Sequence, residues 1–186
     1  ESILRPFQRY ENNPKGVETN WEAHNALAAE IAEDCAVLLK NDGALPLDKN
    51  EKLLIVGDLF EKMRYQGAGS SMINPTYLTT PKTAFDNNKV NYKFCRGYAE
   101  NTLEPNEKLI AEAVSATGDY DKVIVFAGLT DYVESEGCDR ENMRLTENQL
   151  ASIEATITTS KKIIVVLFGG SPMELPFADK VSAILN

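Results

Sequence analysis

Histidine and basic residues are scarce in this chain of 186 residues. His24 is the single histidine, which excludes a His-rich metal site and any catalytic triad that needs a second imidazole. Lys and Arg number 19 against 28 Asp and Glu, and the resulting net charge of −9 argues against nucleic-acid or anionic-membrane partners. No run of about 18 apolar residues occurs, so the sequence predicts no membrane-spanning helix.

Cysteine is also rare, and its spacing is uninformative for metal binding. Cys35, Cys95 and Cys138 are far apart and form no Cys-x-x-Cys pair. We interpret them as free thiols rather than as metal ligands or disulfide partners. Free thiols favour a cytoplasmic location.

Short apolar runs alternate with helical patterns along the chain. Helices are predicted from about Asn20 to Cys35, around residues 109–114 and after Thr146. The capping-box patterns Thr19-x-x-Glu22 and Thr146-x-x-Gln149 would begin the first and the last of these. The predicted strands are Val37–Lys40, Lys52–Val56, Val90–Phe94, Lys122–Ala127, Ile163–Phe168 and Val181–Leu185.

Strands that alternate with helices predict an α/β fold with a largely parallel, doubly wound sheet and helices on both of its faces. Residues 1–18 lack periodicity and are interpreted as a linker, and residues 19–186 as one α/β domain. Residues 57–89 show no clear helix, so a long functional loop is expected there.

Three carboxylates, a glycine and an arginine follow the predicted strand Lys122–Ala127, in the segment Glu134-Ser135-Glu136-Gly137-Cys138-Asp139-Arg140. Open α/β sheets place their ligand sites beyond the carboxyl ends of the strands. In an extended segment Glu134 and Glu136 would project to one face, about 6–7 Å apart. They would therefore not oppose each other across a bond, as the two carboxyls of a retaining glycosidase do. The segment offers one catalytic carboxylate without its counterpart.

Three ordered blocks of sequence carry a resemblance to a known family. One block is the segment Gly128-Leu129-Thr130 with Glu134-x-Glu136-Gly137-x-Asp139-Arg140 and Met143-x-Leu145. Another joins Glu22-Ala23-His24-Asn25 to Val37-Leu38-Leu39-Lys40-Asn41-Asp42-Gly43, and a third is Arg64-Tyr65-Gln66-Gly67-Ala68-Gly69-Ser70-Ser71. Together they resemble the second domain of glycoside hydrolase family 3, of the β-glucosidase type.

The resemblance implies how chemistry would be divided between two domains. Members of the family join a (β/α)₈ barrel, which carries the nucleophilic aspartate, to an α/β sandwich that carries the general acid/base. The glutamate before Gly-x-Asp-Arg is Glu136, which takes the acid/base role, with Glu134 as its competitor. The implied parent removes terminal β-linked glucose or xylose with retention and needs no cofactor. Its partners would be the carbohydrate and the barrel of the same chain, and the isolated chain is expected to be inactive and truncated at its C-terminus.

The remaining predicted site residues have rival interpretations. The loop that contains Arg64, Gln66, Gly69 and Ser70 would border the sugar, but it could also be a structural turn or a phosphate cradle. It lacks the Gly-Lys-Ser/Thr ending of a P-loop and the three-glycine dinucleotide fingerprint.

Glu134, Asp139 and Arg140 complete the predicted substrate-binding set, the last two also as organisers of the loop. The rival to Glu136 as a catalyst is a solvated acidic loop with a surface Glu–Arg pair. For the whole chain, the alternative to a glycosidase domain is a non-catalytic Rossmann-like module that binds a sugar or a nucleotide.

Overall fold

The computed structural model describes residues 2–13, 16, 18–159 and 161–186, which form two units, Glu1–Ala36 and Val37–Asn186. The first unit contains helices α1 (Leu4–Asn12) and α2 (Trp21–Cys35). Helix α1 was not predicted from the sequence. The capping role that we expected for Thr19 belongs to Asn20, whose side chain accepts a hydrogen bond from the amide of Ala23 at 3.0 Å.

The second unit is built on a six-stranded sheet in the order β1-β6-β5-β4-β2-β3. In the part of the chain that the structure describes, all neighbouring strands are parallel except β1 and β6. The chain runs from β2 outwards to β3, then returns to β4 and continues through β5 to β6, so the strand order reverses between β2 and β4. The strands are β1 (Leu38–Asn41), β2 (Leu53–Val56), β3 (Tyr92–Cys95), β4 (Lys122–Gly128), β5 (Lys162–Phe168) and β6 (Ala183–Leu185).

Helices cover both faces of this sheet, which confirms the predicted doubly wound α/β fold. They are α3 (Pro81–Asn87), α4 (Glu107–Ala116) and α5 (Glu147–Ile157). Ala113 of α4 and Ile153 of α5 belong to the apolar cluster on one face, and Phe85 of α3 packs against the cluster on the other. Every residue of β4 is buried, as expected for an apolar strand that is covered on both sides.

The expectation of a long loop over residues 57–89 is wrong in part, because α3 lies within that stretch. The Thr80 side chain accepts from the amide of Thr83 at 3.1 Å, and Pro81 occupies the first helical position. Both features favour a helix start. The loop proper contains short 3₁₀ turns at Asp58–Phe60 and Gly69–Ser71.

Helix α5 begins after Thr146 as expected, but its capping box does not form. The Thr146 side chain makes no capping bond to the helix. The buried Gln149 side chain instead accepts from the Gly128 amide at 2.8 Å and donates to the Gly128 carbonyl at 2.9 Å. It therefore satisfies the backbone at the end of β4.

Among the described helices, none is long and apolar enough to cross a bilayer.

Candidate active site

The loops that follow β2, β4 and β5 meet where the strand order reverses. Residues 64–68, 70 and 71 after β2, residues 134–136 after β4, and Gly169 and Gly170 after β5 all line one cavity of about 800 Å³. This is the position at which open α/β sheets bind ligands. The cavity volume also lies within the usual range for small-molecule sites.

Glu136 lies on a tight turn from Ser135 to Cys138. The Cys138 amide donates to the Ser135 carbonyl at 3.2 Å, and Gly137 has a φ of 80°. A positive φ at the third residue is what a type II turn requires, which explains the glycine. Glu136 is exposed on this turn. The extended geometry expected for this segment is therefore wrong.

The glycine-rich loop after β2 contacts the carboxylate of Glu136. The Ser70 amide donates to Oε2 of Glu136 at 2.8 Å, and its hydroxyl lies 3.4 Å from Oε1. Gly69 has a φ of 69°, and a β carbon there would lie 1.6 Å from Oε2 of Glu136. Glycine at this position therefore permits the close approach. The Ser70 amide, which a phosphate cradle would use as a donor, already donates to Glu136.

Glu134 is held much more tightly than Glu136. Arg64 Nη1 lies 2.6 Å from its Oε2, and the Ser171 hydroxyl donates to its Oε1 at 2.6 Å. The bond from Ser171 holds the pKa of Glu134 below its ordinary value of 4.5, against the opposing effect of burial. The charge of Arg64 and a bond from the Gly170 backbone act in the same direction. Glu134 is therefore an ionised, fixed carboxylate in the cavity wall.

Other predicted site residues take different places. Arg140, predicted to bind substrate or to organise the loop, donates to the Ser171 hydroxyl at 2.7 Å and to the Pro172 carbonyl at 3.1 Å. Asp139 lies with it at a separate depression on the surface. Gln66 lines the cavity but bonds to the backbone of Ile73, at 3.0 and 3.3 Å, and so organises its own loop.

Ser171 is the residue of this network that sequence reasoning missed. It follows β5, the strand beside β4, so its place at the carboxyl edge of the sheet was the available signal.

Among the described residues, no group of three or more His, Cys, Asp or Glu could hold a metal ion.

Comparison with known proteins identifies the family. Residues 36–186 match the model of the glycosyl hydrolase family 3 C-terminal domain. The chain belongs to glycoside hydrolase family 3. The resemblance inferred from the three sequence blocks is thereby confirmed.

Named relatives of this family 3 domain are considerably longer than it is. The chain is 42% identical to thermostable β-glucosidase B of Acetivibrio thermocellus, over all of this chain and 25% of that protein. It is 32% identical to exo-α-(1→6)-L-arabinopyranosidase of Bifidobacterium longum, over 89% of this chain and 23% of that protein. The crystal structure of the family 3 β-glucosidase of Bifidobacterium adolescentis superposes with a TM-score of 0.88 at 34% identity, over 96% of this chain and 26% of that one. The chain thus spans about a quarter of these relatives.

Proposed function

We propose that this domain supplies the general acid/base, Glu136, of a retaining exo-acting β-glycosidase that removes terminal β-linked glucose or xylose. The nucleophilic aspartate would lie on a (β/α)₈ barrel of the same parent chain. Two findings support this division. The chain spans about a quarter of its relatives, which include a β-glucosidase. The two cavity glutamates also lie on successive turns of one loop, since the Glu134 amide donates to the Thr130 carbonyl at 3.1 Å just before the Glu136 turn. Because both come from a single loop, the opposing carboxylate would come from the other domain.

The contrast between Glu134 and Glu136 carries the assignment. A general acid must hold a proton and then release it to the leaving oxygen. Glu134 is held by Arg64 and Ser171, and its lowered pKa keeps it ionised. Glu136 stands on an exposed turn at the cavity wall, with Ser70 as its hydrogen-bond partner among the described residues. Its carboxyl can therefore approach a glycosidic oxygen.

The proposed reaction has two steps. In the first, the carboxyl proton of Glu136 passes to the glycosidic oxygen while the aspartate of the other domain attacks the anomeric carbon and the C–O bond breaks. In the second, the Glu136 carboxylate removes a proton from water, which attacks the glycosyl ester and frees the aspartate. No cofactor takes part in this scheme. The chain alone, without the nucleophile, should hydrolyse no aryl β-glucoside.

The other predicted residues would serve binding and loop geometry. Arg64, Gln66 and Glu134 line the cavity and are proposed to hydrogen-bond sugar hydroxyls. Asp139 and Arg140 lie at a separate depression and are proposed to shape the loop that carries Glu136.

The test is the leaving-group dependence of variants in the full-length parent. Glu136→Ala should slow alkyl glucosides and disaccharides by about 10²–10⁴, the usual contribution of a general acid. Glycosylation by a dinitrophenyl glucoside should be nearly unaffected, because this leaving group needs no proton. Glu134→Ala should slow both substrate classes alike, and Glu141→Ala, an exposed glutamate of the same loop, should slow neither.

Two outcomes would contradict the proposal. An equal loss on both substrate classes for Glu136→Ala would remove its acid role, and a leaving-group effect in Glu134→Ala alone would transfer that role to Glu134. A parent that binds glucose but hydrolyses no glycoside would instead indicate the non-catalytic binding module.

A further inference from the structure

The Ser171 hydroxyl joins the two ends of the segment that carries Glu136. It donates to Oε1 of Glu134 at 2.6 Å and accepts from Nη1 of Arg140 at 2.7 Å. Glu134 and Arg140 lie on either side of the turn of Glu136 in the sequence. We propose that Ser171 is a positioning residue that closes the segment 134–140 and thereby fixes Glu136 relative to the sheet. This inference rests on the acid/base role proposed for Glu136.

The chemistry of the three groups fits this arrangement. A hydroxyl has one proton to donate and two lone pairs to accept with, so it can serve an ionised carboxylate and a guanidinium at the same time. Both bonds involve a charged partner, which makes them stronger than bonds between neutral groups. The effect on Glu134 is visible in its pKa, which the bond from Ser171 lowers.

The two ends of the segment depend on Ser171 to different degrees. Glu134 is also held by Arg64, whose Nη1 lies 2.6 Å from its Oε2. Arg140 has only Ser171 and the Pro172 carbonyl as hydrogen-bond partners among the described residues, and its Nη2 is buried without a partner there. Removal of the Ser171 hydroxyl should therefore loosen mainly the Arg140 end. The loop after β5 would then hold Arg140 through the Pro172 carbonyl alone.

The consequence for catalysis should appear in kcat rather than in KM. A displacement of about 1 Å in a catalytic group can cost about 10²-fold in rate. Because Glu134 keeps its other partners, we expect Ser171→Ala to lower kcat on alkyl glucosides and disaccharides by about tenfold or more. The first step on a dinitrophenyl glucoside, which needs no acid, and KM should change little.

The experiment uses four variants of the full-length parent: Ser171→Ala, Ser171→Thr, Ser115→Ala and Glu136→Ala. Ser171→Thr retains a hydroxyl and should restore rate. Ser115→Ala is the matched control, since Ser115 is an exposed residue of α4 that bonds within its own helix. Hydrogen exchange read by mass spectrometry supplies a second measurement that does not depend on activity. Ser171→Ala should speed exchange at the Cys138 amide, which the Glu136 turn protects, whereas the threonine and control variants should not.

The outcomes separate this inference from the proposed function. Faster exchange together with a leaving-group-dependent loss of kcat in Ser171→Ala supports the positioning role. Unchanged exchange around residue 138 overturns that role whatever the kinetics show. A leaving-group effect in Glu136→Ala without one in Ser171→Ala also overturns it, while leaving the acid/base assignment intact. If Glu136→Ala itself lacks the effect, the proposed function fails, and faster exchange would then support only the structural closure.

Discussion

Replacement of Gly69 by alanine tests the fit between the glycine-rich loop and Glu136. The new β carbon would lie 1.6 Å from Oε2 and 2.7 Å from Cδ of Glu136, so the carboxylate must move away from the Ser70 amide. The φ of 69° adds backbone strain of about 1–2 kcal/mol for a residue with a side chain. Loss of the hydrogen bond from Ser70 to the exposed carboxylate should add no more than about 1 kcal/mol. The expected destabilisation is therefore about 1–3 kcal/mol.

Urea unfolding measures this destabilisation. In the same assay, alanine variants at two other glycines separate the effect of backbone strain from that of the clash with Glu136. Gly137 has a φ of 80° and no atom within 4 Å of its virtual β carbon, so Gly137→Ala should incur the strain alone. Gly118 has open space and no positive φ, so Gly118→Ala should be neutral or slightly stabilising. The order of stability should be Gly118→Ala, then Gly137→Ala, then Gly69→Ala. If Gly69→Ala unfolds at the same urea concentration as Gly118→Ala, the described loop geometry is wrong, and equality with Gly137→Ala would show that displacing Glu136 costs nothing.

Two further predictions concern charged groups. Asp58 is almost fully buried and pairs through both of its oxygens with the half-exposed Arg96. Arg96→Ala leaves this buried carboxylate without its paired charge, with the Glu100 amide still bonded to it, and should cost about 3–5 kcal/mol in urea unfolding. Asp58→Ala leaves a guanidinium that water can reach and should cost about 1–3 kcal/mol; the reverse order would contradict the burial described. The bond from Ser171 and the charge of Arg64 lower the pKa of Glu134 in the folded state. The contribution of Glu134 to stability should therefore be complete at a pH above its ordinary pKa of 4.5, and it should be lost as the pH falls through the lower folded-state pKa. Glu134→Gln should remove that dependence, and an unchanged dependence of unfolding free energy on pH would show that Glu134 is not its source.

Local patterns were sufficient to predict the sheet and the edge at which the cavity lies. The apolar run that became β4 has no polar alternation, which occurs in strands covered on both faces. The strand pattern placed the segment of Glu136 beyond the carboxyl end of a strand, the family resemblance placed the loop of Arg64 beside the sugar, and both segments line the cavity. The helix α3 could also have been predicted, because Thr80 and Pro81 form a recognisable start.

Contacts between distant side chains could not be predicted from the sequence. Ser171 lies 37 residues from Glu134, and although its place after β5 indicates the edge of the sheet, no local pattern indicates its partner. Gln149 matched a capping box three residues after Thr146, yet the unpaired backbone of Gly128 at the end of β4 provides its partners. Both contacts join residues that are distant in the sequence and that the folded sheet brings together. Buried polar groups must find partners wherever the fold provides them.

The central claim is that Glu136 is the acid/base, and azide rescue tests it most directly. In a Glu136→Ala parent, a dinitrophenyl glucoside should still form the glycosyl ester, but the ester should persist because no base activates water. Azide needs no base, so it should restore turnover and give β-glucosyl azide, identified by NMR of the product. The Glu134→Ala parent should show neither rescue nor the azide product. Formation of β-glucosyl azide by the Glu134 variant and not by the Glu136 variant would contradict the account.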